Sequence, residues 1–294
     1  MAQLHAGLGR VQGTMREWDQ TTFGSVRKNL AKLRKELERV RGQLAGLGPS
    51  RVGRHIMSQI SELLSIEEIM EKHRAHLDWL KDGDRNTAFY QAKARERARV
   101  NRITSLRTED GGVVTQPEEL ETVAETFYTN LYMAQDVLEP EEILQHVPVK
   151  VTDEMNESIN LSFTAKEVER ALFMMGPSKA PGSGSFNAGF YQYHWDILGP
   201  SITKAVLDFR NGGDMPDKMN NTILCVIPKV KNPQEMKQFR PISLCNVVYK
   251  ICSKVLADRL RPFHDEIISP EQSAFVPGRL ITDNVLIAFE CTII

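Results

Sequence analysis

No Asp-Asp pair occurs anywhere in the 294 residues of this chain. His-Glu-x-x-His, Gly-x-Ser-x-Gly and Gly-x-x-x-x-Gly-Lys-Ser/Thr are missing too, so zinc peptidase, serine hydrolase and P-loop chemistry have no foothold. Cysteine is scarce: Cys225, Cys245, Cys252 and Cys291 show no C-x-x-C spacing. That excludes a zinc ribbon or dithiol redox motif and reads as reduced thiols inside a cell. No apolar run approaches the ~20 residues that cross a bilayer, and residues 1–16 lack the apolar centre of a signal peptide. The expected location is intracellular, in nucleus or cytoplasm, without a membrane partner.

Apolar residues make up 41% and charged residues 26%, which suits a folded chain with a buried core. The net charge of −1 conceals segregation. Residues 1–107 hold 21 Lys and Arg against 12 Asp and Glu; residues 108–176 hold 3 against 15; residues 177–294 hold 13 against 11. Basic residues are therefore nearly absent from the middle segment. Three regions follow: a basic helical extension over 1–107, an acidic hairpin and helix connector over 108–176, and a third region over 177–294.

Phe23, Val26, Leu30, Leu33, Leu37, Val40, Leu44 and Leu47 alternate in steps of three and four, the spacing of a coiled-coil seam. Gly46, Gly48, Pro49 and Ser50 break that helix, and a second amphipathic helix is expected over 53–81, with Ile56, Ile60, Leu63, Met70, Leu77 and Leu80 on one side. The short Gly/Pro turn favours a hairpin within the chain; self-association through residues 22–47 is the competing use of the same seam. Asp82-Gly83-Asp84 is the next breaker. A third helix, 86–99, carries Lys93, Arg95, Arg97 and Arg99, with Arg102 just beyond. Such a stripe can neutralise phosphates, and it reads equally well as a solvated helix face.

Further on, 103–108 and 113–115 flank turn residues and predict a small hairpin. A helix is expected over 117–131, an irregular acidic connector over 134–157, and a helix over 162–175 with Thr164 and Glu167 as a capping box. The stretch 179–185 reads as a flexible loop and 186–210 as one or two helices. Two β-prone runs, 222–229 and 239–244, are separated by a polar loop. A helix over 247–268 should kink near Pro262, and a last helix should begin at 282, with Asp283 and Asn284 as capping groups rather than metal ligands.

Several motifs, in order, carry a resemblance. Trp18 to Val26 with Phe23-Gly24, then 80–90 and 99–106, then Lys179-Ala180-Pro181-Gly182 with Ala188-Gly189-Phe190, then 222–250, then 273–289 together resemble the reverse transcriptases of LINE-type (non-LTR) retrotransposons of the plant kind. The similarity covers nearly the whole chain after about residue 15. The implied fold is α+β and predominantly helical: an N-terminal helical hairpin or coiled coil, then an incomplete reverse-transcriptase fingers region with short antiparallel strands over 177–294.

The resemblance implies that Lys229 and Arg240, at the inner ends of the 222–244 hairpin, hold the triphosphate of an incoming nucleotide. Capping or pairing within the sheet is the alternative for Arg240, and plain solvation for Lys229. It also implies that Gln272, Phe275, Gly278 and Arg279 contact template, Phe275 by stacking on a base unless it is a core aromatic. The family usually shows Pro-Asp-Gly after Lys-Ala-Pro-Gly, where this chain has Ser183-Gly184-Ser185; the role of the missing aspartate is in doubt. The complete family enzyme uses Mg2+ held by aspartate blocks that lie beyond the part matched here. No catalytic residue and no metal ligand is therefore assigned, no cofactor is expected in this chain alone, and the chain alone is expected to be inactive. RNA or DNA is the expected partner. The alternative is a non-enzymatic RNA-binding or coiled-coil interaction protein.

Overall fold

The computed structural model describes every residue except 44–49, 76–86, 109, 135–140, 142–143, 184–185, 217–218, 281, 283–284 and 286–294. Leu44 and Leu47, the 46–49 breaker, Leu77 and Leu80, Asp82-Gly83-Asp84, part of the 183–185 departure, and Asp283 and Asn284 with most of the last helix lie outside the described residues. Among the described residues the chain is α+β and predominantly helical, with two two-stranded antiparallel sheets. It divides into two compact units. One is built from Ala6–Tyr132 and Leu224–Ser243, the other from Met1–His5, Met133–Ile223 and Leu244–Ile294. Among the described residues, no helix is long and apolar enough to cross a membrane.

In the unit built from Ala6–Tyr132 and Leu224–Ser243, helix α1 (Ala2–Trp18, begun in the other unit) runs into a π-helical turn, Asp19–Phe23. Gly24 ends that turn at φ 63, its N–H donating to the Asp19 carbonyl at 2.6 Å, a conformation that favours glycine. Helices α2 (Val26–Gln43) and α3 (Arg51–Ala75) then pack together. They are antiparallel. Arg27, at the start of α2, reaches Glu67 and Glu71 near the end of α3, at 3.3 and 3.1 Å, while Arg41, near the end of α2, lies 3.9 Å from Met57 Sδ.

The heptad seam is used inside the chain: Val26, Leu30 and Val40 are buried and Leu33 and Leu37 half-buried. The expectation for α3 needs one correction. Ile56 is buried and Ile60 and Leu63 are half-buried, but Met70 is exposed and Glu71 takes the inward place. A carboxylate is tolerated there because the Arg27 guanidinium meets it.

Helix α4 (Thr87–Asn101) packs on α3 and buries Tyr90. Strands β1 (Leu106–Arg107) and β2 (Val113–Val114) pair with Leu106 opposite Val114. Helix α5 (Pro117–Tyr132) starts on proline, with Glu118 and Glu119 in its first turn, where the missing N–H costs nothing and the helix dipole favours acids. Strands β3 (Ile223–Pro228) and β4 (Phe239–Leu244) form the second hairpin. Leu106, Tyr128, Met236 and Phe239 are the buried centre of this unit's sheet region, with Ile103, Val123, Phe127 and Val226 packed around them.

The other unit contains a helix the sequence did not announce. Residues 134–157 read as an irregular connector, yet α6 runs Asp153–Asn160. Thr152 caps it by accepting from the Met155 N–H at 3.2 Å, and Met155 is buried. Six charged or polar positions in eight hid an element held by its cap, buried Met155 and half-buried Ile159. Helix α7 (Ala165–Phe173) has the expected capping box of Thr164 and Glu167. Residues 186–210 resolve into two helices, α8 (Ala188–Tyr193) and α9 (Trp195–Arg210). Helix α10 (Val247–Leu260) gives way to a 3-10 turn at Pro262 and to α11 (His264–Ile267). Helices α7, α9 and α10 pack pairwise on one another, and α8 on α7 and α9. Val168, Leu172, Tyr191, Ile202, Val206, Val248 and Ile251 are fully buried on them.

Gly182 of the Lys-Ala-Pro-Gly motif is buried; its N–H donates to the Cys245 carbonyl at 3.1 Å, and a Cβ on it would lie 2.5 Å from Cys245 C and Leu244 O. That is backbone against backbone, an approach only glycine permits. The expected flexible loop is thus pinned at this residue.

Candidate nucleic-acid interface

The candidate residues Lys229 and Arg240 and the Lys93–Arg102 stripe lie in one unit, and Gln272, Phe275, Gly278 and Arg279 lie in the other. In the first unit, the loop between β3 and β4 is held rigidly at its far end. Met236–Gln238 form a 3-10 turn in which the Gln238 side chain accepts from the N–H groups of Gln234 and Glu235 at 2.7 and 3.3 Å. The Arg107 N–H donates to the Gln234 carbonyl at 2.6 Å, and its guanidinium donates to the Gln234 side-chain oxygen at 3.2 Å. Met236 and Phe239, buried against Leu106 and Tyr128, anchor both flanks. The loop therefore sits beside β1 and the end of α4 rather than waving free.

Lys229 follows β3 directly. Its N–H closes the hairpin on the Gln238 carbonyl at 2.8 Å, and its ammonium donates to the Lys237 carbonyl at 2.8 Å. Arg240, the second residue of β4, is exposed and makes no side-chain hydrogen bond or ion pair among the described residues. The acid of this loop is already satisfied: Glu235 pairs with Lys237 at 2.5 Å, and that hydrogen bond holds its carboxyl below the ordinary range.

The α4 stripe divides. Lys93 pairs with Glu96 at 2.8 Å, Arg95 donates to the Gln91 carbonyl at 3.3 Å, and Arg97 is exposed. Arg99 and Arg102 are exposed and, among the described residues, carry no side-chain hydrogen bond or ion pair. These two and Lys229 line one groove of about 800 Å³. Lys93, Arg95, Arg97 and Arg240 are not part of its lining. The sequence reading missed Lys231, which also lines it. Its signal was its place two residues after Lys229 in the same polar loop.

In the second unit, residues 268–279 form a loop braced back onto α11. Arg279 donates to the carbonyls of Ser269 and Gln272 at 2.5 and 3.0 Å, and to Asp265 and the Ile268 carbonyl at 3.1 and 3.3 Å. Its guanidinium holds the loop together. The Gln272 side chain donates to the Ala274 carbonyl at 3.0 Å, and Gly278 turns the chain at φ 84. Phe275 is fully exposed at 103% and has φ 66, while the neighbouring Val276 is buried. A large side chain at positive φ carries strain, and here it is presented to solvent rather than to a core.

Two-metal polymerase chemistry needs carboxylates converging on magnesium. Among the described residues, no group of three His, Cys, Asp or Glu side chains could hold a metal ion, so these residues do not fit such a centre.

Residues 227–292, which include β4, α10 and the Arg279-braced loop, match the family described as reverse transcriptase (RNA-dependent DNA polymerase). Over 217 residues, 73% of its length, the chain is 33% identical to the Transposon TX1 uncharacterized 149 kDa protein of Xenopus laevis, and it spans 16% of that relative. Residues 227–292 are thus similar to reverse transcriptases, and the longer match is to a transposon protein.

Proposed function

We propose that this chain is the fingers region, with its preceding helical extension, of a LINE-type RNA-directed DNA polymerase of the plant kind, and that by itself it binds RNA or DNA without polymerising. The observation that carries the reading is the β3–β4 hairpin, whose loop and second strand lie in the family-matched region. Its loop is fixed against β1 and presents Lys229 at its neck, with Arg240 exposed on β4. Fixed cations of this kind can neutralise phosphate charge that grows during transfer. Phe275, on the Arg279-braced loop, supplies an exposed aromatic face for a base.

Purified protein, an oligo(dT)-primed poly(rA) template, labelled dTTP and Mg2+ make the test. The expected result is no extension, together with retention of the template on a filter. Templated incorporation would overturn the inactivity, and failure to bind any nucleic acid would overturn the binding. Self-association through 22–47 has less room, since α3 already covers Val26, Leu30 and Val40.

A further inference from the structure

We infer that the groove between the C-terminal end of α4 and the β3–β4 loop is a track for consecutive phosphates of a single-stranded polynucleotide. The inference deepens the nucleic-acid reading above and rests on it. Two stretches far apart in sequence, 99–105 and 228–234, form the lining together with Phe239. Arg99 and Arg102 come from the first, Lys229 and Lys231 from the second, and no Asp or Glu lines the groove. Arg99, Arg102 and Lys231 make no side-chain ion pair or hydrogen bond among the described residues.

Nearby acids have other partners. Glu96 is held by Lys93, and Glu235 by Lys237. Four cations gathered on one concave surface with no carboxylate in its lining repel each other, with only Glu96 beside Arg99 to offset one of them, and a polyanion relieves that repulsion while releasing its own counterions. The groove is built to keep its shape: Phe239 in its lining is buried in the core, and Arg107 ties Gln234 to β1. The loop also passes through Asn232 at φ 54, a residue type that tolerates this conformation. Cations on both sides of a concave track suit a backbone threading between them, as in other single-strand sites.

The test measures anisotropy of a fluorescein-labelled single-stranded RNA of about 12 nucleotides, within the site sizes typical of such grooves, across a salt series. A DNA of the same sequence and inorganic triphosphate serve as competitors. Arg99→Gln with Arg102→Gln should weaken RNA binding at least tenfold and flatten the log K against log salt slope by about 1.4, since each lost phosphate contact on a single strand removes about 0.7. Lys231→Gln should flatten it by about 0.7. Arg99→Lys with Arg102→Lys should keep the slope. Lys28→Gln with Lys32→Gln, exposed on α2, should bind as the unaltered chain does.

Three results overturn the proposal. One is equal losses from the α2 and groove variants. Another is a charge-conserving variant as weak as the glutamine one. The third is groove variants that lose triphosphate affinity but keep that for RNA, which would assign the site to a free polyphosphate. Primer extension reads the polymerase reading independently, so the two can fail separately.

Discussion

Arg259 and Glu167 form a two-point ion pair, with Nε donating to Oε1 at 2.6 Å and Nη2 to Oε2 at 3.0 Å. The same guanidinium donates to the carbonyls of Ile159, Leu161 and Ser162 and lies 3.7 Å above the Phe163 ring. One side chain thus ties α10 to the end of α6 and the start of α7. Arg259→Met should cost about 3 kcal/mol, as expected when one partner of a largely buried pair is removed, read from urea denaturation. Arg259→Lys should recover little, because an ammonium has no fork to span both oxygens. Full recovery by lysine would show that charge alone matters there.

Acid should loosen the same joint. The Arg259 hydrogen bond is the main reason the Glu167 carboxyl falls from an ordinary 4.5 to about 2. A folded-state value below the unfolded one means that the contribution is complete above about pH 4.5 and is lost as pH falls toward 2. The urea midpoint of the unaltered chain should therefore drop more across that interval than the midpoint of Glu167→Gln. Parallel profiles would remove Glu167 from the acid response.

Gly182 offers a backbone test. Gly182→Ala drives a methyl into Cys245 and Leu244 backbone atoms 2.5 Å away, and overpacking of this kind costs roughly 1–3 kcal/mol. Gly13, in α1 with nothing within 4 Å of its Cβ position, should instead gain up to about 1 kcal/mol as alanine. Thermal melts of the two variants should move in opposite directions.

Thiol reactivity should follow burial. Cys225 is exposed, whereas Cys252 is buried and burial pushes its thiol up to about 11. Brief iodoacetamide treatment at neutral pH, followed by peptide mass mapping, should label Cys225 and leave Cys252 unmodified until denaturant is added. Equal labelling of the two in the native protein would contradict the packing of α10.

Phe275 should separate binding from stability. Phe275→Gly removes an exposed ring from a strained backbone, so the melting temperature should hold or rise. RNA affinity should fall roughly tenfold, within the ~1–3 kcal/mol of a base–aromatic stack. A large loss of stability would mean that the ring packs on something, and unchanged affinity would mean that it touches no base.

Periodicity and capping chemistry made much of this chain legible. The α2 seam, the Thr164–Glu167 box, the proline start of α5 and the break at Pro262 all depend on contacts within a few residues, so spacing alone carries them. Helix α6 escaped because Met155 and Ile159, two apolar residues one turn apart, are too few to display a period. Glu71 replaced Met70 on the inner face of α3 because Arg27 reaches it from another helix, a contact about forty positions away in sequence.

Local chemistry in the sequence decided most of the helices and strands, and the run at 227–292 carries the likeness to reverse transcriptases. Folding in three dimensions decided how the cations divide. Arg99 and Arg102 join Lys229 and Lys231, while Lys93 is taken by Glu96 and Arg279 by its own loop. Charge is written residue by residue, but whether it is spent internally depends on distances between side chains, which only packing sets.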